Sequence, residues 1–146
     1  MRRFVLVASA AIALLAGSLF VGTSSASAAT QRCRDVQTNH INAYVCIDYR
    51  LTQASHWYVD KIRIWNHGSY LLRSRTTQEG DRLGDECIRS TKPVTGYSSC
   101  PGPYVLADMG QYIRVCLDTR NSDHGARVIF KKFDPPTLKK AVCPNV

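Results

Sequence analysis

Six cysteines constrain the fold of this chain more than any other feature of its sequence. All of them follow an N-terminal segment that has the pattern of a cleavable secretion signal, and exported chains keep their cysteines oxidised. They lie at Cys33, Cys46, Cys87, Cys100, Cys116 and Cys143. An even number of cysteines in a short exported chain predicts a framework of disulfides. Structural zinc sites normally use Cys-x-x-Cys pairs, and because the sequence has none, we predict no metal site.

The N-terminal segment has the three parts of a signal peptide. Arg2 and Arg3 form a basic start, residues 4–21 are largely apolar, and Ala26-Ser27-Ala28 matches the small-x-small cleavage pattern. We therefore predict a signal peptide over residues 1–28, a secreted, extracellular protein and no membrane segment after cleavage. The remaining residues, 29–146, have the length of one domain.

The charge of the chain favours acidic partners. Loss of Arg2 and Arg3 lowers the formal net charge of +8 by two, which leaves the mature chain basic. A basic surface attracts acidic protein faces or anionic polymers. The basic residues are scattered and never form a run of five, so we predict no nucleic-acid partner. We expect a monomer outside any complex with an extracellular protein partner.

Period-two alternation of apolar and polar residues predicts an all-β fold. Residues 44–52 and 111–119 alternate in this way, and two hairpins are predicted over residues 57–76 and 111–133. With a short strand at residues 104–107, the pattern favours a small disulfide-stapled β-sandwich or barrel of six to seven strands. Residues 79–103 are rich in glycine and proline and are predicted to form a long loop. Residues 29–41 are predicted to be either a flexible arm or an extended edge segment.

The strand pattern also bears on how the cysteines pair. Cys46 and Cys116 fall on the polar faces of their strands, so we expect their disulfides to fasten arms or loops to the outside of a sheet. Cys33 to Cys46 and Cys87 to Cys100 are equally spaced along the chain. We favour the sequential pattern, which would also join Cys116 to Cys143. A bridge between Cys46 and Cys116 is the main rival.

The sequence carries no recognisable catalytic constellation. It contains neither His-x-x-x-His nor Gly-x-Ser-x-Gly, and its only glutamates, Glu79 and Glu86, fall in or beside the predicted loop. A glycosidase or a small ribonuclease needs better-placed carboxyl groups. We predict that the chain is not an enzyme, with no catalytic residues and no cofactor. A small secreted hydrolase is the least favoured of three hypotheses for its function.

A cluster of aromatic and basic residues is the strongest candidate for binding. By simple alternation, one face of the predicted strand carries Trp57, Val59, Lys61, Arg63 and Trp65, and Tyr70 follows the turn. Tryptophans that flank cations on an exposed face suit a protein or a glycan. The alternative is that Trp57 and Trp65 are core aromatics past which the cations reach to water. The candidate binding residues are Trp57, Lys61, Arg63, Trp65 and Tyr70.

The predicted loop between Cys87 and Cys100 offers a second functional hypothesis. A disulfide-braced loop could present Arg89 to a trypsin-like protease in a preorganised conformation. The chain would then be a secreted serine-protease inhibitor.

The Ala-rich signal ending Ala26-Ser27-Ala28-Ala29, the six spaced cysteines and the hairpin rich in Trp and Tyr resemble the small secreted disulfide-bonded β-proteins of filamentous actinobacteria. Within that group, the chain is similar in size, export and cysteine density to the small adaptor subunit of umbrella toxin particles. This resemblance implies a non-catalytic linker that joins a lectin-like subunit to a large toxin protein. The favoured prediction is a secreted non-catalytic protein-binding module, an adaptor or component of an extracellular toxin complex.

Overall fold

The described part of the protein is built from nine antiparallel β-strands in two sheets. The computed structural model describes residues 30–52, 56–79, 86–107, 110–119 and 124–143, and these residues contain no helix. The prediction of an all-β fold is confirmed, although the strand count is higher than the predicted six to seven. The strands are β1 (Thr30–Gln37), β2 (Asn42–Leu51), β3 (Trp57–Asn66), β4 (Leu72–Glu79), β5 (Glu86–Thr91), β6 (Gly96–Leu106), β7 (Tyr112–Thr119), β8 (Gly125–Lys131) and β9 (Thr137–Lys140). The predicted signal peptide at residues 1–28 lies outside the described residues.

The strands form one sheet of four and one of five. The first has the order β1-β2-β3-β6 and the second the order β5-β4-β7-β8-β9. The prediction of a hairpin over residues 57–76 is wrong, because β3 pairs with β2 and β6 whereas β4 pairs with β5 and β7. The turn at residues 66–69 therefore carries the chain from one sheet to the other. The second predicted hairpin is confirmed as β7 and β8, which pair directly.

The Gly/Pro-rich segment at residues 79–103 contains strands where the sequence predicted a loop. Most of it forms β5 and β6, each at the edge of its sheet. Pro101 and Pro103 lack an N–H group, and an edge strand tolerates this because one side of it needs no ladder partner. A Cβ at Gly102 would collide with the carbonyl oxygen of Val59, so glycine allows β6 to approach β3 closely there.

The N-terminal arm at residues 29–41 takes the second of its two predicted forms. Thr30–Gln37 is an extended edge strand, β1, that pairs along its length with β2. Its inward residue Val36 is fully buried, which gives the strand a hydrophobic anchor.

A single hydrophobic cluster fills the space between the two sheets. The four-stranded sheet contributes alternate residues of β2, such as Val45 and Ile47, and the five-stranded sheet contributes Ile113, Val115 and Leu117 of β7. The two sheets thus share one core, as in a β-sandwich. Within the described residues, no helix has the length and apolar character needed to span a bilayer.

Three disulfides join the cysteines in sequential order, as the spacing favoured. They are Cys33–Cys46, Cys87–Cys100 and Cys116–Cys143. Cys46 and Cys116 are buried but lie outside the core cluster, which confirms that they belong to the outer faces of their sheets. The first bridge ties β1 to β2, and the third ties the chain after β9 to β7.

The second disulfide differs from its predicted role of pinning a loop. Cys87 lies on β5 and Cys100 on β6, and both belong to the core cluster. Because β5 and β6 are edges of different sheets, this bridge closes one side of the sandwich.

Candidate functional site

The strand that carries the candidate aromatic and basic residues contains a β-bulge. Asp48 of β2 pairs with Lys61, but the next residue, Tyr49, pairs with Val59, so Asp60 has no partner in β2. An extra residue of this kind reverses the alternation on either side of it. The prediction that residues 57 to 65 alternate without interruption is therefore wrong.

The bulge separates the five candidate residues. Trp57 lies before it and faces the core, where its side chain is only 1 % exposed. Lys61, Arg63 and Trp65 lie beyond it and face outward. Tyr70 is 56 % exposed but sits in the connection between β3 and β4, at one end of the sandwich. The structure thus groups three of the five on one surface, and for Trp57 the core-aromatic alternative is correct.

Three aromatic side chains form a row across the outer face of the four-stranded sheet. Tyr44 of β2 is paired in register with Trp65 of β3, and Trp65 is paired with Tyr97 of β6. The ring centroids of Tyr44 and Trp65 are 5.8 Å apart, and those of Trp65 and Tyr97 are 5.3 Å apart. Tyr97 is 49 % exposed, and the other two rings are half-buried.

Sequence reasoning missed both tyrosines of this row. Alternation places Tyr44 on the polar face of its strand, and this position alone could have identified it as an outward-facing aromatic residue. Tyr97 lay in the predicted loop, so nothing connected it with Trp65 until the register of β3 and β6 was known.

A basic side chain borders the aromatic row and is held in place by its neighbours. The Arg63 guanidinium lies 5.5 Å from the centroid of the Trp65 ring and forms an ion pair with Asp48. Cys46, which carries the Cys33–Cys46 bridge, is the register partner of Arg63. We call Tyr44, Trp65, Tyr97 and Arg63 together the aromatic platform.

The geometry of the aromatic platform favours an uneven partner surface over a flat one. The Trp65 ring plane is inclined by 47° to Tyr44 and by 53° to Tyr97. The row therefore offers separate faces and edges instead of one continuous plane on which a sugar ring could stack. Tyr, Trp and Arg are also the residue types that dominate binding energy at protein interfaces.

The segment predicted to be an inhibitor loop is part of a strand. Arg89 lies on β5 in register with Ser74 of β4. Its guanidinium donates hydrogen bonds to the backbone carbonyls of Ser99 and Ile88, at 3.0 and 2.9 Å. The side chain is exposed, yet it is tied back to the protein's own backbone and not extended toward solvent.

One titratable network lies on the outer face of the five-stranded sheet. The Tyr112 hydroxyl donates a hydrogen bond to Glu79 at 2.9 Å, and Arg114 forms an ion pair with the same carboxylate. The hydrogen bond to Glu79, together with desolvation, raises the pKa of Tyr112 above its ordinary value. Because the Glu79 carboxylate is already paired with Arg114 and Tyr112, we interpret this network as a contact that stabilises the sheet and not as a reactive site. In the described ranges, no group of three or more His, Cys, Asp or Glu could hold a metal ion.

No known protein family, no curated protein and no solved structure matches this chain.

Proposed function

We propose that this chain is a secreted, non-catalytic protein-binding module that contacts an extracellular partner through the aromatic platform. The observation that carries the proposal is the exposed row of Tyr44, Trp65 and Tyr97 beside Arg63. In the most specific form of the proposal, the chain is an adaptor or component of an extracellular toxin complex of actinobacteria, as its resemblance implies.

The platform has the properties expected of an energetic centre for protein binding. Its rings belong to three adjacent strands, so their spacing is set by backbone pairing and not by a mobile loop. The Cys33–Cys46 bridge fastens β1 to β2 beside Arg63. A surface that is already ordered loses little conformational entropy on binding, which leaves more of the contact energy available for affinity.

Charge and compartment support the same proposal. The mature chain, which keeps a basic balance when Arg2 and Arg3 are subtracted from the formal net charge of +8, favours a partner with an acidic face, which would be steered toward the protein over long range. Lys61, exposed on the same outer face as Trp65, adds a local positive charge. Three disulfides are consistent with an oxidising, extracellular environment.

The test is capture of partners from a culture supernatant by the immobilised chain, followed by mass spectrometry. The platform variant is Trp65→Ala with Tyr97→Ala. Its matched control is Tyr112→Ala, which removes an outward-facing tyrosine from the opposite sheet. We expect the wild-type chain and the control to capture the same secreted proteins and the platform variant to lose them. If a folded platform variant retains every partner, the proposal is wrong.

The serine-protease inhibitor is the weaker alternative, because Arg89 is engaged with the backbone of β5 and β6. Capture of a protease in the same experiment, together with inhibition of trypsin by the purified chain, would favour it. Full activity of trypsin and subtilisin in the presence of excess chain would exclude it.

A further inference from the structure

An open cavity of about 330 Å³ lies at the end of the sandwich where three separate segments of the chain meet. This volume is at the lower end of the range for small-ligand sites, which is about 300–1,000 Å³. The connection between β1 and β2, the start of β8 and the end of β9 form its walls. The residues that matter for its chemistry are Thr38, Asn39, His40, His124, Gly125 and Lys140.

Two histidines from different segments of the chain stack against each other in this cavity. The ring centroids of His40 and His124 are 3.7 Å apart, and the ring planes are inclined by only 12°. The Thr38 hydroxyl oxygen accepts hydrogen bonds from the backbone N–H groups of His40 and Ile41, at 3.2 and 2.9 Å. The position of His40 is therefore set by a local turn and is not left to a free loop.

A glycine brings Lys140 to the same cavity. A Cβ at Gly125 would collide with the carbonyl oxygen of Ala141, so only glycine lets the chain after β9 lie this close to β8. The N–H of Ala141 donates a hydrogen bond to the carbonyl of Gly125 at 3.1 Å. Lys140 is paired with Ala126, which faces the core, whereas its neighbour Lys139 is paired with the outward-facing Arg127. The two adjacent lysines therefore point to opposite sides of the sheet.

Among the described residues, the groups around the two imidazoles are basic or neutral. Lys140 lines the cavity, Tyr70 lies 6.3 Å from His40 between ring centroids, and His67 lines the adjoining cavity that shares His40. None of the described lining residues of the two cavities is acidic.

A phosphate group carries between one and two negative charges and accepts several hydrogen bonds at once. This matches a cavity lined by the Lys140 ammonium and by two imidazoles that can donate N–H groups. A metal ion fits less well, because the nitrogen lone pairs lie in the two nearly parallel ring planes and do not converge on one point.

We propose that this cavity binds a phosphate group, held by His40, His124 and Lys140. The site is independent of the aromatic platform, and the phosphate is either free or carried on an anionic polymer.

The experiment is an NMR titration of the imidazole resonances of the mature chain with inorganic phosphate at constant ionic strength. It is run at one fixed pH, so that only the phosphate concentration changes. We expect the His40 and His124 resonances to shift with phosphate until the site is saturated. Absence of any shift, with inorganic phosphate and with polyphosphate, overturns the proposal.

Two matched pairs of variants separate a defined site from general charge attraction. Lys140→Gln and Lys139→Gln remove the same charge one residue apart, and His124→Gln and His56→Gln remove an imidazole that lines the cavity and one that does not. We expect Lys140→Gln and His124→Gln to weaken binding about tenfold, and the other two to bind as the wild type does. Equal weakening by both lysine variants would show attraction to the whole surface and refute the site.

A second arm with linear polyphosphate distinguishes the two sources of the ligand. If inorganic phosphate gives the expected shifts without any polyphosphate, a free phosphate ion is enough to occupy the site. If only polyphosphate does so, and Lys140→Gln abolishes the effect, the phosphate group is recognised on a polymer. Both results support the site.

Discussion

The two tryptophans of β3 lie on opposite faces of one strand, so the same substitution should have different consequences at each. Trp57 is buried, stacks on Tyr49 with a centroid distance of 4.3 Å and lies under the Arg32 guanidinium at 4.5 Å. Truncation of a buried tryptophan to alanine costs about 3–5 kcal/mol. Loss of the cation–π contact adds about 0.5–1 kcal/mol. We therefore expect Trp57→Ala to lower the free energy of unfolding by about 4 kcal/mol or more.

Trp65→Ala should cost far less. Trp65 is half-buried on the outer face, and its main contacts are the cross-strand pairs with Tyr44 and Tyr97. Such pairs contribute about 0.2–1 kcal/mol each, so we expect a loss of about 0.5–2 kcal/mol. The same variant should weaken partner binding, whereas Trp57→Phe should leave binding unchanged and destabilise the fold only modestly.

The assay is denaturation in guanidinium chloride with the disulfides intact, monitored by circular dichroism. The two alanine variants and Trp57→Phe are compared with the wild type at equal protein concentration. Equal losses of stability for Trp57→Ala and Trp65→Ala would refute the assignment of the two rings to opposite faces. That result would also remove the basis for the aromatic platform, which requires Trp65 to face outward.

Three further predictions concern other parts of the fold. Arg73→Ala leaves the Asp118 carboxylate, which is 2 % exposed, without its ion-pair partner at 3.1 Å. We expect it to lower the free energy of unfolding, measured in urea, by about 3 kcal/mol. A loss under about 1 kcal/mol, which is typical of a surface pair, would contradict this. Val94 and Thr95 have positive φ angles of 53° and 60°. The double substitution Val94→Asn with Thr95→Gly should therefore stabilise the turn by about 1–2 kcal/mol and raise the Tm. An unchanged Tm would show that the turn is not strained. The hydrogen bond from Tyr112 to a carboxylate raises the pKa of its phenol, so the stability it provides is present below pH of about 10 and is lost as the pH rises through the folded-state value. Alkaline denaturation curves should show this loss in the wild type and not in Tyr112→Phe.

Local patterns in the sequence were enough to predict the class of fold and the disulfides. The period-two alternation of β2 and β7 depends only on which face of a strand is buried, and it also placed Cys46 and Cys116 on the outer faces. The equal spacing of the first two cysteine pairs favoured sequential pairing, but a bridge between Cys46 and Cys116 also joins two outer faces. Only the placement of β2 and β7 in different sheets excludes that rival.

The pairing of strands could not be predicted, because it depends on residues far apart in the chain. A turn as strong as residues 66–69 is compatible with a hairpin or with a crossing between sheets, and only the competing partners of β3 decide between them. The bulge at Asp60 is visible only against the register of β2. Simple alternation therefore placed Lys61, Arg63 and Trp65 on one outer face, as the structure shows, but put Trp57 on the same face although it is buried.

The two disulfides at the ends of the domain determine how it carries mechanical load. A pull on the chain before β1 passes through Cys33 to Cys46 on β2, which lies inside the four-stranded sheet. A pull on the chain after β9 passes through Cys143 to Cys116 on β7, the central strand of the other sheet. Force therefore enters strands that are hydrogen-bonded to a neighbour on both sides, and it bypasses β9 and the part of β1 after Cys33. A domain that is cross-linked in this way can be pulled from both ends without first losing β9 or the second half of β1.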